Sequence, residues 1–339
     1  MSTHRQDNLF KRDRKISQLF KQSFRLEKKS RRNMKKKIIA AVLIGCVIAP
    51  QLVFAGAWTL PKGDVWMQEQ IKFFWAKKEF SPGSKLSRLG NNARSWGWAM
   101  IPEINYGITD WLDFLFKMEY KEAHYKEYSR PNNWGPYSAK NHGLVTVEPG
   151  IKVRFLNEPM VLSGQFVYSI WNPYYEENPL ADISEVPGIS DRTNFWEIRA
   201  LAGKKWDTKL PFYMGLESGY RCNTRNVVDQ VPLFYEMGFW PMKFLLLKTE
   251  LDCMFGLDNT TRGDRVMEKS WAIWRIGPSI ELLVLYDMMR GVDVTSKEYT
   301  NIVTRTGKSL NIEAQYGNTF WGRNTSASQE VVLKVSTQF

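Results

Sequence analysis

"WLDFLFKMEYKE", residues 111–122, decides how the rest of the chain is read. Leu112, Phe114, Phe116, Met118 and Tyr120 fall at every second position, with Asp113, Lys117, Glu119 and Lys121 between them. Successive side chains of a strand point to opposite faces, so the stretch is a ribbon with one apolar and one charged side. The same period recurs downstream. "LVTVEPGIKVRF" (144–155) sets Val145, Val147, Ile151, Val153 and Phe155 against Thr146, Glu148, Lys152 and Arg154. "FLLLKTELDCMF" (244–255) sets Leu245, Leu247, Leu251 and Phe255 against Lys248, Glu250 and Asp252. In "AIWRIGPSIEL" (272–282), Trp274, Ile276, Ile280 and Leu282 oppose Arg275, Ser279 and Glu281.

A soluble β-sandwich also alternates, but three features point to lipid instead. Aromatic residues gather at the segment ends, as in the girdles of membrane barrels. The segments run about 10–13 residues, closer to a tilted strand across a bilayer than to an ordinary strand. Connections alternate in length: short at 107–110, 156–159, 207–211 and 240–242, longer and polar near 77–95, 123–142, 172–191, 223–230 and 258–267. Only a closed barrel satisfies every backbone hydrogen bond of strands in lipid. The fold class expected is all-β, an antiparallel up-and-down transmembrane β-barrel of about twelve strands over 56–339. Residues 284–309 are too long for a turn and hold either a small helix or a further hairpin, which would make fourteen strands.

The formal charge of +12 suggests a nucleic-acid binder until it is placed along the chain. Residues 1–55 carry 14 Lys/Arg against 3 Asp/Glu, leaving 33 against 32 in 56–339. The body is near neutral, so no nucleic-acid partner is expected. Met34 to Ala55 reads as a secretory signal: Lys35, Lys36 and Lys37, then an apolar run to Ile48, a break at Pro50, and small residues before a cut between Ala55 and Gly56. A retained inner-membrane anchor and a lipoprotein box at Cys46 are the alternatives, the first opposed by Pro50 and Gln51, the second by the apolar Val47-Ile48-Ala49 that follows. Residues 1–33 are a basic upstream extension outside the fold, with Met34 the expected start.

The charged faces supply the lumen-lining candidates. They are Glu103, Asp113, Lys117, Glu119, Glu148, Lys152, Arg154, Glu197, Arg199, Glu217, Arg221, Lys248, Glu250, Asp252, Arg275, Glu281 and Glu313, with Glu236 and Lys334 in the same phase. Acids and bases interleave, so they either pair and fill a narrow lumen or line a conduit that selects a solute. Trp134, Tyr137, Tyr174 and Tyr175 in the long loops are the ligand-contact candidates. Cys222 and Cys253 fall on the lipid face two strands apart, beyond disulfide reach. No cofactor or metal site is expected from two histidines without a cysteine partner. A rim hydrolase built on His142, with Asn141 and Ser138 nearby, is the enzymatic alternative.

The last ten residues, "EVVLKVSTQF", alternate Val331, Leu333, Val335, Thr337 and Phe339. A final strand ending in phenylalanine resembles the assembly signal of bacterial outer-membrane proteins, with Thr337 departing from the usual apolar choice. "GAWTLPKG" (56–63), "YGITDWLD" (106–113) and "WGRNT" (321–325) look like uncharacterised transporter-like outer-membrane barrels. That resemblance implies a pore for a small solute, insertion by the barrel-assembly machinery through Phe339, and contact with the lipid bilayer. A closed structural or ligand-binding barrel working through its loops is the other expectation.

Overall fold

The structure, a computed structural model, describes residues 56–128, 136–171, 189, 191, 193–224, 227–257, 268–294 and 309–339. The signal stretch with Ala55, and Trp134, Tyr174 and Tyr175 in the loops, lie outside these residues.

Among the described residues thirteen strands form one sheet: β1 (Val65–Phe80), β2 (Leu86–Arg88), β3 (Arg94–Thr109), β4 (Leu112–Glu127), β5 (Tyr137–Leu156), β6 (Val161–Trp171), β7 (Phe195–Trp206), β8 (Phe212–Asn223), β9 (Gln230–Met242), β10 (Leu245–Gly256), β11 (Ser270–Glu281), β12 (Ser309–Arg323) and β13 (Thr325–Gln338). From β3 to β13 each strand pairs antiparallel with its sequence neighbour, β1 pairs with β3, and β13 returns to β1. The seam runs from Trp66 opposite Gln338 to Ala76 opposite Ser328, then resumes past a bulge. At its foot Val65 and Phe339 exchange backbone hydrogen bonds of 3.0 and 3.1 Å. The three-residue β2 pairs only with the far end of β1. Twelve strands therefore close the ring, leaving no open edge in the spanning part.

The fourteen-strand alternative is corrected, because β11 pairs directly with β12 across the ambiguous segment. That segment opens with helix α1 (Leu282–Met289), which Glu281 caps by accepting from the Leu283 amide at 3.2 Å. One expected loop, 123–142, also shrinks from both ends. β4 and β5 rise well past 123 and 142, so His124 and His142 are strand residues rather than loop residues.

Burial is inverted relative to a soluble protein. Exposed large apolar residues include Phe73, Ile104, Phe114, Ile151, Ile198, Trp274, Ile276, Leu333 and Val335, while Asp113, Glu197, Glu250 and Glu330 are buried. An apolar belt of this extent facing outward from a polar interior is the surface that a bilayer covers. Cys222 and Cys253 form no disulfide.

One of several register shifts moves an expected residue to the other face. On β5 the pairing steps from Glu119 opposite Thr146 to Tyr120 opposite Leu144, so Val145 is an extra, bulged residue. Val145 was expected on the lipid face with Val147; instead it packs inward on Ala123 and Ile189. The bulge resets the phase, so residues on either side of it keep their own faces.

Candidate functional site

The inward faces enclose a polar cavity of about 740 Å³. Of the residues expected on the lumen, Glu103, Lys117, Glu119, Glu148, Arg199, Glu217, Arg221, Lys248, Glu250, Asp252 and Arg275 line it, joined by Glu236 and Lys334. Lys152 and Glu197 line a second chamber of about 440 Å³ toward the short-turn end, which shares Gly56 with the first.

The charges gather on two opposing walls. On β9 to β13, Lys248 Nζ sits 3.0 Å from Glu236, 3.0 Å from Glu250 and 3.1 Å from Glu313. Lys334 Nζ bridges Glu250 and Glu313 at 3.0 and 2.8 Å. Arg275 reaches Glu330 at 2.5 Å and Asp252 at 3.3 Å, and Gln315 donates to Glu250 at 2.8 Å. On β4 to β8, Glu197 holds Arg199 at 2.5 Å and Arg221 at 2.6 Å, while Arg199 also holds Glu217 at 2.9 Å. Lys117 pairs with Glu148 at 2.6 Å. Taking charges out of water is tolerable only when each is paired and hydrogen-bonded, and this interleaving supplies that. Between the two walls β1 presents Trp66, Gln68, Gln70 and Lys72, a largely uncharged strip.

Three candidates are placed away from the cavity wall. Asp113, fully buried, pairs with Lys152 at 3.2 Å and accepts from the Leu60 amide at 3.0 and 3.3 Å. Glu281 accepts from Leu283 and Leu310 amides and so ties α1 to the start of β12. Arg154 stands at the short-turn end, its amide bonded to the Trp111 carbonyl at 2.8 Å. Tyr137 begins β5 opposite Glu127. His124 lies 2.8 Å from Glu122 and stacks on Trp96, and His142 stands opposite Glu122. Asn141 alternates to the other face from His142 and Ser138, so these three do not converge on one point.

The element that periodicity missed is the segment before β1. Residues 56–64 turn inward across the lumen as a strap. Its outer end is stitched to the β3–β4 turn: Gly63 N donates to Gly107 O at 2.8 Å, Gly107 N to Asp64 O at 3.0 Å, Lys62 N to Asp110 Oδ1 at 2.9 Å, and Thr59 Oγ1 to Asp110 O at 2.7 Å. A side chain at Gly107 would overlap the Pro61 carbonyl, so glycine permits the close approach. Farther in, Ala57 is fully buried against Val161 and Leu201, and its carbonyl accepts from Ser163. Gly56, at φ +83°, ends against Glu217.

Toward the long-loop end lies a third chamber of about 400 Å³. Lys72, Lys121, Lys269 and Arg275 line it against only two acids, Asp252 and Glu330. Lys269 is tied to Asp191 at 2.6 Å, and Lys121 sits over the Phe74 ring. Asp191 belongs to the connection after β6. Although burial pushes its carboxyl up, the Lys269 ammonium and its hydrogen bond hold it below the usual range.

No protein-family model matches the chain, and no curated protein is similar to it. Among solved structures, an outer membrane channel from Pseudomonas putida F1 is similar with a TM-score of 0.57 at 11% identity, covering 84% of this chain and 98% of that one. The translocator domain of the autotransporter NalP from Neisseria meningitidis gives a TM-score of 0.39 at 10% identity, over 91% and 95% of the two chains. The first likeness establishes the fold. This is an antiparallel β-barrel of the outer-membrane type.

In such a barrel short turns face the periplasm and long loops the exterior. The strap therefore enters from the periplasmic side, and the basic chamber lies toward the outside. Sequence reasoning missed β1 as a lumen wall because Glu69, on its outward face, spoils the apolar alternation there. Lys72 and Lys121 lie in the lumen phase and were legible in principle; Asp191 and Lys269 sit outside or at the ends of periodic segments.

Proposed function

We propose that this barrel is a channel for a small polar solute, exported by the signal at 34–55 and threaded along the charged walls of its lumen. The observation that carries this is the polar cavity inside a closed ring, lined by paired acids and bases beside the uncharged strip of Gln68 and Gln70. A wall of fixed, mutually neutralised charges offers donors and acceptors to a passing solute without binding it as a single ion would. The Pseudomonas putida protein of similar fold is described as an outer membrane channel, which agrees with this reading. The strap, crossing the lumen at its periplasmic half, makes the pore narrow.

Single-channel recordings in planar bilayers test it. Small, discrete conductance steps are expected from the intact barrel, and larger ones from a variant lacking residues 56–60. Liposomes carrying either form are expected to admit small solutes. No conductance and no uptake from both forms overturns the proposal.

A further inference from the structure

We infer that the lumen is the binding site for the chain's own amino terminus: hydrolysis between Ala55 and Gly56 leaves an α-ammonium on Gly56 that pairs with the Glu217 carboxylate. In that step one water cleaves the amide, the leader departs with the Ala55 carboxylate, and the new amine takes up a proton. The inference does not rest on conduction, because it concerns where the strap ends rather than what passes it.

Four observations converge on the pairing. First, a methyl group built on Gly56 would overlap Glu217 Oε1 and stand 3.4 Å from Leu201 Cδ2, so the Gly56 backbone is pressed against that carboxylate. The α-nitrogen is one bond, about 1.46 Å, from the same Cα. Second, Arg199 takes the other carboxylate oxygen, Oε2, at 2.9 Å, which fixes the group and leaves Oε1 aimed at the strap. Third, Glu217 is buried at mid-strand, the sixth of twelve residues in β8, where a carboxylate gains most from a cation. Fourth, the strap holds Gly56 there through Ala57, buried against Val161 and Leu201 and hydrogen-bonded by Ser163.

An amide nitrogen at this position offers one neutral donor, whereas an ammonium offers three and a charge, and a charge-assisted hydrogen bond is about twice as strong. Processing thus places a charged donor beside a carboxylate that the uncleaved amide could meet with one neutral N–H at most. It also explains the residue required after the cut: any side chain at 56 would collide with Glu217, and the left-handed φ favours glycine.

The test labels the terminus. Barrel purified from outer membranes is exposed at near-neutral pH to an amine-acylating reagent, which prefers α-amines because their ordinary pKa of about 7.7–8.0 lies below that of lysine. The amino-terminal peptide is then quantified by mass spectrometry. The expected terminus is Gly56, protected in the folded barrel and reactive once unfolded. Glu217→Gln and Gly56→Val are each expected to speed labelling about tenfold, the effect of a contact worth about 1.4 kcal/mol. Glu217→Asp retains protection. Gly56→Val leaves the wall intact, so a folding defect in Glu217→Gln would not decide the outcome. A terminus at another residue, or a native barrel labelled as fast as Glu217→Gln, overturns the inference. Expected labelling with no conductance from any variant would overturn the channel reading and leave this one standing.

Discussion

Lys248 is the side chain on which the β9–β13 wall depends most. One ammonium neutralises Glu236, Glu250 and Glu313; Lys334 offers Glu250 and Glu313 a second cation, and Arg275 approaches Glu250 at 3.7 Å. Replacing it by methionine keeps the length but takes away the lysine paired with Glu236 and leaves Glu250 and Glu313 less neutralised, so Lys248→Met is expected to destabilise the barrel by about 3 kcal/mol, the lower end for a broken buried pair because the lumen admits water. The temperature at which the barrel loses its compact electrophoretic mobility measures this, and an unchanged transition would count against it. Lys72 and Lys121 act differently, since they tilt the outer chamber toward positive charge. Lys72→Glu combined with Lys121→Glu is expected to move the reversal potential in a salt gradient toward cation preference. No movement would remove the outer chamber from the selectivity path. These residues show what the sequence discloses at this scale. Strand phase places an inward charge, but the partner it takes depends on register, which is fixed by bulges such as Val145 that period alone does not announce.

Elements were readable where they obeyed a period and unreadable where they did not. The strands from 111 to 122 and from 244 to 255 alternate without interruption, and both appear in the barrel in the expected phase. The strap has no period, because its position comes from backbone bonds to Asp110, Asp113 and Gly107 rather than from a greasy face. Nothing in "GAWTLPKG" shows that its ligands lie some fifty residues downstream. The connection carrying Asp191 belongs to the same class and yields a pH prediction. The folded carboxyl lies below its ordinary value, so the Asp191–Lys269 tie contributes fully above the usual carboxylate range and is lost as pH falls through the lowered value. Lys121 and Arg221 also lower it, so removing Lys269 alone should weaken rather than abolish the effect. Amide protection at residues 193–194, taken relative to the intrinsic exchange rate at each pH, should fall on acidification, and in an Asp191→Asn variant that protection should not change with acid. The final strand carries a prediction of its own. Deleting Phe339 removes the backbone pair with Val65 at the seam and the aromatic end of the strand, so less folded barrel is expected in outer-membrane fractions. An unchanged yield would show that assembly does not read this residue.

For the whole molecule, the distribution of polarity mattered more than any motif. A chain with near-balanced charge over 56–339 and apolar residues on alternate positions has only two ways to hide one face, a second sheet or a bilayer, and long segments with aromatic ends favour the bilayer. The inverted burial, with Ile276 and Trp274 outside and Glu250 and Glu330 inside, is the physical counterpart of that choice.

The seam between β1 and β13 has a consequence for how such a ring comes into being. Every other pairing in the ring joins strands that are adjacent in sequence or separated only by β2, so it can form as a local hairpin. The seam alone brings together Trp66 and Gln338, 272 positions apart. Joining ends across so long a stretch costs about 5 kcal/mol of chain entropy if it happens first. It costs far less once eleven hairpin contacts have already drawn the ends together. The topology therefore orders events in time: neighbours zip early, and the ring locks last, when Val65 and Phe339 meet.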